Sequence, residues 1–180
     1  YARLQAWEPF YKATIDSITK QPLSKYYRKT STKGFTTQVA ENLYIRDTYK
    51  DSIIDKIIKS KLLPKKEYKY SDFTFILLKE YLETHHNTTL DVMAEENFFS
   101  KLGMNNTTFN PLVKFEEDVI PPTEKDRYFR HDLIQGYVHD MAAAMQGGVA
   151  GHAGVFSNAM DVAKMMQLFL NKGNYGGNQY

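Results

Sequence analysis

The stretch GYVHDMAAAMQGGVAGHAGVFSNAMDVAKMMQLFLNKGNYGG, residues 136–177, decides how this 180-residue chain reads. It carries Gly147, Gly148, Gly151 and Gly154 within eight positions of one another. A phosphate loop would need G-K-[ST] after the glycines, and that is missing. A dinucleotide fingerprint would need a strand just before them, and none is evident. The remaining reading is a loop of small residues that lets backbones approach closely beside a cleft. His152 sits among these glycines, and its side chain is expected to make a structural hydrogen bond. Beyond the loop, residues 160–171 read as a helix. Ser157 or Asn158 serves as its cap, Asp161 stands at its positive end and Gly173 stops it.

Composition narrows the function classes. Hydrophobic residues make up 42% of the chain and charged residues 24%, enough apolar material for a packed core. Thirteen Tyr and eleven Phe argue against disorder. A net charge of +2 is too small to suggest nucleic acid as a partner. With no cysteine, disulfides, thiolate metal sites and cysteine nucleophiles are excluded. No apolar run reaches the roughly 18 residues of a membrane span. Tyr1 is not an initiator methionine, so the chain reads as trimmed at its start.

Upstream, periodicity places more helices. A short one is expected over residues 7–17. Ile53, Ile54, Ile57, Ile58, Leu62 and Leu63 form one helical face that Pro64 ends. Phe73, Ile76, Leu77, Tyr81 and Leu82 form another after Tyr70-Ser71-Asp72, fraying over residues 84–87. A third runs over residues 90–101, with Thr89 as cap and Gly103 as stop. Residues 105–137, with Pro111, Pro121 and Pro122, read as a long loop of the kind that often carries function. No strand of sheet-core character stands out. The reading is therefore a mainly α unit over residues 1–180, with Ile53, Ile57, Leu77, Leu82, Phe98, Leu102, Val162, Met166 and Phe169 buried.

Two short motifs suggest chemistry. Ser17-Ile18-Thr19-Lys20 has S-x-x-K spacing, which activates a serine only when one helical turn brings the amine back to the hydroxyl. Pro22 disfavours helix there, so an exposed serine and lysine are expected. Thr32-Lys33-Gly34 is not K-T-G, since the order differs. In KKEYKYSDFTFILLKEYLE, residues 65–83, Tyr70 precedes an apolar helix and can project its hydroxyl into a cleft. Lys65, Lys66 and Lys69 flank it. Ser71 and Asp72 support the turn, or simply cap the helix. His131-Asp132 and His139-Asp140 invite a metal reading, but no further ligands complete a set. No metal is expected at His131, His139 or His152, and no cofactor is required.

Residues 70–72 resemble the Y-[SA]-N motif of the serine β-lactamase, penicillin-binding protein and esterase superfamily. FFSKLGMNNTTF, residues 98–109, resembles its F-x-x-P-L-G-M-x-x-T. Residues 136–177 resemble its long G-x-V-H-D…G-G-x-A-G-H-A-G-L-F-S-T-A-x-D-L-A segment. The three motifs stand in family order over roughly residues 62–176, and RLQAWEPFY, residues 3–11, is similar to the region after L-L-x-H-x-x-G-L. The resemblance extends to the serine hydrolase modules of gut-type Bacteroidetes, often joined to a family 3 glycoside hydrolase. It implies that this chain is the helical middle of an α/β fold, lacking most of the central sheet. The nucleophilic serine would precede Tyr1, and the K-T-G or H-x-G strand would follow Tyr180. Tyr70 would be catalytic, with Ser71, Asp72 and His152 supporting the site or binding substrate. A β-lactam, a D-Ala-type peptide or an ester would be acylated, with peptidoglycan-like material as partner, in a periplasmic or extracellular location. A non-catalytic module binding cell wall or a partner remains the alternative. One departure matters. Asp72 stands in the Asn place, and an ionised Asp can only accept hydrogen bonds.

Overall fold

The computed structural model describes residues 3–180. A 3₁₀ turn, Phe10–Thr14, precedes strands β1 (Tyr27–Arg28), β2 (Thr37–Ala40) and β3 (Leu43–Ile45). Helices α1 (Tyr49–Lys59), α2 (Asp72–His86) and α3 (Leu90–Ala94) follow, and α3 runs into a π-helical turn, Glu95–Phe99. The second half holds β4 (Thr108–Phe109), β5 (Glu124–Lys125), β6 (Leu133–Ile134), α4 (Met141–Ala144), β7 (Val155–Phe156), α5 (Ala159–Leu170), β8 (Asn174–Tyr175) and β9 (Asn178–Gln179). β1, β3 and β2 form an antiparallel sheet in that order, and β4–β7, β5–β6 and β8–β9 form antiparallel pairs. Among the described residues, no helix is long and apolar enough to cross a membrane.

This corrects the expectation of a mainly α unit. Helix accounts for 35% of residues and strand for 14%, spread over several small sheets. The strands are two to four residues long, too short for the alternation that announces a half-buried strand. β2 and β3 join through Glu41 and Asn42, pairing Thr37 with Ile45 and Ala40 with Leu43 around a bulge. Tyr27, Val39 and Ile45 are the buried residues that hold this sheet on the core. The expected helix over residues 7–17 shrinks to the 3₁₀ turn after Pro9. Residues 17–19 form a turn, and the Lys20 amine donates to the Ser17 carbonyl at 2.6 Å, not to its hydroxyl.

The main core joins Ile53 and Ile57 of α1 to Phe73 and Ile76 of α2, with Phe10, Phe129 and Met145 between the elements. α1 stops before the expected Leu62–Leu63 turn. Ser60 folds its amide and hydroxyl back to the Ile57 carbonyl, and the Leu63 amide bonds to Arg3 instead. Leu77 and Leu82 are only half-buried. The π turn inserts an extra residue into the ladder, with the Ser100 amide reaching Glu95. That rotates Phe99 inward and leaves Phe98 exposed, contrary to the periodic expectation.

α5 shows the same kind of correction. Asn158 caps it as expected, accepting from the Asp161 amide at 2.9 Å. Asp161, however, is buried, and accepts from the Asn106 amide at 2.7 Å, Thr107 Oγ1 at 3.2 Å and Lys164 Nζ at 2.9 Å. This polar anchor fixes which face points inward, and Leu168 packs below it. Val162, Met166 and Phe169 therefore face outward, Phe169 at 66% exposure.

Candidate active site

The turn before α2 is pinned from below. Ser71 occupies the N-cap position, but its hydroxyl donates to the Gln5 carbonyl at 2.7 Å, and the Asp72 amide donates to the Ala6 carbonyl at 2.8 Å. Ser71 is buried by these contacts, while Tyr70 immediately before it is 65% exposed. A buried residue beside an exposed aromatic gives Tyr70 a fixed base while its ring stays largely in solvent. Lys65, Lys66 and Lys69 are exposed. Behind the turn lies a cleft of about 170 Å³, lined by Trp7, Phe10, Asp72, Phe73, His139 and Asp140, among others. A larger groove along the C-terminal half of α2 holds charges that are already paired, such as Lys79 with Glu80 and Glu83.

Asp72 does not stand alone. Its carboxylate, that of Asp140 and a ring nitrogen of His152 all lie within 4.8 Å of one another. Three segments distant in sequence supply them: the start of α2, the start of α4 and the glycine loop. Asp140 is the N-cap of α4 and accepts from the Ala143 amide at 2.7 Å. His152 Nε2 lies 2.9 Å from Asp140 Oδ1, and its side chain is 2% exposed. His152 thus makes the structural hydrogen bond expected of it. The glycine loop can come this close to α2 because Gly151 has no side chain: a Cβ there would overlap the Phe75 carbonyl oxygen.

Burial pushes the Asp72 carboxyl above its usual range. The His152 ring pulls it down, the Asp140 carboxylate pushes it up again, and the Tyr70 hydroxyl, as donor, lowers it less. Burial also pushes Asp140 upward, but the bonds from His152 and the Ala143 amide outweigh it and hold Asp140 below the usual range. A metal could use three such ligands. The His152–Asp140 bond already occupies Nε2 and one carboxylate oxygen, so the cluster is a hydrogen-bonded His–Asp pair with the Asp72 carboxylate close by. The other histidines are elsewhere: His139 is exposed beside Glu124, and His131 bonds to the Lys20 carbonyl.

A buried ion pair holds Asp140 in place. Arg130 and Asp126 both have fully buried side chains, with Nε 2.9 Å from Oδ2. The same guanidinium donates to the carbonyls of Val138 at 2.7 Å and His139 at 3.0 Å, and to Glu124 at 2.8 Å. It therefore fixes the backbone that leads into Asp140. The sequence reading placed Tyr70, Ser71, Asp72 and His152 in one site, and the structure brings the last two together beside the Tyr70 turn. It missed Asp140 as a member and Arg130 as its support. The sequence did mark Asp140, beside His139 and within the G-x-V-H-D match, but nothing in it paired Asp140 with Asp72.

Comparison with known proteins shows the family. The Beta-lactamase family matches over residues 25–179, and the chain belongs to that family. A protein of Escherichia coli K12, provisionally named D-alanyl-D-alanine carboxypeptidase, is 38% identical, over 77% of this chain and 35% of its own length. A Salmonella gallinarum protein of the same name is 36% identical, over 71% of this chain and 33% of its own length. The chain thus spans about a third of the length of the curated relatives it matches. The octameric penicillin-binding protein homologue from Pyrococcus abyssi shares 17% identity and a TM-score of 0.46, over 71% of this chain and 32% of that one.

Proposed function

We propose that this chain is the middle portion of a serine hydrolase that forms an acyl-enzyme on a peptide ending in D-alanine, or on a β-lactam or ester that mimics one. The names of the relatives favour the peptide. The nucleophilic serine lies outside these 180 residues, and the protein works outside the cytoplasm, where wall peptides are found. The observation that carries the reading is Tyr70, an exposed tyrosine on a turn pinned at Ser71 and Asp72, beside a cleft. The serine oxygen attacks the substrate carbonyl, and its proton passes to the departing amine; water later releases the acyl group. In this reading the Tyr70 hydroxyl relays protons in both halves. No step calls for a metal or an organic cofactor.

The test is Tyr70→Phe in the full-length protein. Acylation by a fluorescent penicillin, or release of D-alanine from a D-alanyl-D-alanine peptide, should fall by about 10²–10⁴-fold. The unfolding midpoint should hardly move, because the Tyr70 side chain is largely exposed. An unimpaired variant would make Tyr70 a bystander. Turnover by the isolated 180 residues would place the nucleophile inside them.

A further inference from the structure

We propose that the groove along the C-terminal half of α2 binds a neutral oligosaccharide, at a site separate from the Tyr70 cleft. The inference does not rest on the hydrolase reading. The groove encloses about 730 Å³, within the roughly 300–1,000 Å³ of ordinary ligand pockets. β2, α2, the turn after α4 and the loops around Asn110 and Tyr137 line it. Its cations already have partners. Lys79 lies 3.4 Å from both Glu80 and Glu83, and Lys50 lies 4.0 Å from Glu80. Asp47 accepts from the amides and hydroxyls of Thr36 and Thr37 at 2.7–3.0 Å. The remaining charged side chain on the lining is that of Asp91. A phosphate or carboxylate ligand therefore gains little here.

The neutral side chains on the lining share one property: their donors are engaged and their acceptors are left over. Thr36 and Thr37 direct their hydroxyl protons to Asp47, which leaves them lone pairs. Gln38 Nε2 donates to the Tyr137 hydroxyl at 2.9 Å and to the Glu41 carbonyl at 3.0 Å. Asn110 Nδ2 donates to the Gly147 carbonyl at 2.9 Å. Gln146 Nε2 donates to the Ala142 carbonyl at 3.1 Å, and its Oε1 is buried without a partner. A buried acceptor in that state costs stability, and a hydroxyl donor arriving in the groove offsets the cost. The Tyr137 hydroxyl accepts from Gln38 and keeps its own proton to give. The fitting ligand is uncharged and rich in O–H donors. Each hydroxyl of a sugar can turn its proton to the wall, whereas a peptide main chain carries one acceptor for every donor. Tyr137 and Leu112 add apolar surface for the C–H face of a sugar ring. The groove begins close to the other site: Lys79 and Asp72 are roughly 10 Å apart along α2, at about 1.5 Å per residue.

The experiment uses the full-length protein, labelled for NMR. Chitotetraose, cellotetraose and maltotetraose are each titrated to about 10 mM, which exceeds a dissociation constant of about 1 mM tenfold. At least one should move the side-chain amide signals of Gln38, Asn110 and Gln146 together and leave the Tyr70 amide in place. Gln146→Met should weaken that sugar by about three- to tenfold, the contribution of one hydrogen bond. Its unfolding midpoint should hold or rise, because a buried acceptor without a partner is gone. Thr36→Trp, at an exposed position on the groove wall, should abolish binding by filling the space. No shift with any of the three sugars overturns the inference. So does a Gln146→Met protein that binds as well as the wild type. Tighter binding of trialanine at the same signals also overturns it and makes the groove a peptide site. If a variant does not fold, the wild-type signals decide. None of these readouts needs acylation, so a protein that binds sugar and never acylates fails the hydrolase reading alone.

Discussion

Replacing Arg130 with Met removes a guanidinium that is fully buried and keeps most of its volume. Four contacts go: Nε to Asp126, and the bonds to Glu124, Val138 and His139. Asp126 retains three backbone amides, from Tyr128, Phe129 and Arg130, at 2.8, 2.9 and 3.1 Å. It loses its only buried counter-charge, and two carbonyls lose a donor each. Breaking a buried pair from one side costs about 3–5 kcal/mol, because the remaining charge stays desolvated. That is a large part of the roughly 5–15 kcal/mol that holds a typical domain together. At a urea m-value of about 2 kcal/mol/M, the midpoint of unfolding should drop by about 2 M.

The assay is urea unfolding followed by circular dichroism. A pH series supplies an independent sign. Burial raises the Asp126 carboxyl, but the bonds from Tyr128, Arg130 and Phe129 hold it below the usual range. A depressed carboxyl contributes stability above its unfolded value of about 3.9 and loses it as pH falls through the folded value. Without Arg130 the folded value rises, so the loss should begin at higher pH. Adding Asp126→Asn should recover part of the stability by removing the stranded charge. A cost under about 1 kcal/mol, typical of solvated pairs, would refute the argument that this pair is dry and locked.

Gly151→Ala should destabilise by about 1–3 kcal/mol, the usual cost of overpacking, since its Cβ meets backbone of α2 that cannot move aside. In the same variant the His152 and Asp140 resonances should shift together, because the loop carrying His152 is pushed off α2. Phe169→Glu in the 180-residue chain should change stability by no more than about 0.5 kcal/mol, as exposed positions do. A loss of several kcal/mol would instead put Phe169 in the core, where helical periodicity alone places it.

What was legible in the sequence was the part encoded locally. Ile53 and Ile57 repeat at helical spacing and are buried, and Asn158 caps α5 as its residue type suggests. The ordered motifs identified the family. The errors came where a tertiary contact overruled periodicity. The Val162, Met166 and Phe169 stripe is the more apolar face of α5, yet the helix turns that face outward. The decisive bonds come from Asn106 and Thr107, more than fifty positions away, to Asp161. Likewise nothing local marks residues 95–99 as a π turn, and that one extra residue exchanges Phe98 for Phe99 in the core. Two-residue strands hold too few positions to show a period, so the small sheets stayed invisible.

The site divides along the same line. Tyr70, Ser71 and Asp72 are consecutive, so a motif can hold them. Asp140 and His152 are twelve positions apart, and both are far from Asp72. Their meeting depends on a glycine loop lying against the α2 backbone, and on Arg130 tying down the two carbonyls before Asp140. Considered alone, Asp72 is an acid at a helix start, where ionisation is favoured, and it was a poor substitute for an amide. Its carboxyl is pushed upward by burial, drawn down by His152 and pushed up by Asp140, partners that the linear order does not name. A motif of three letters gave the position of the residue, and only the packing of two other segments against it gives its chemistry.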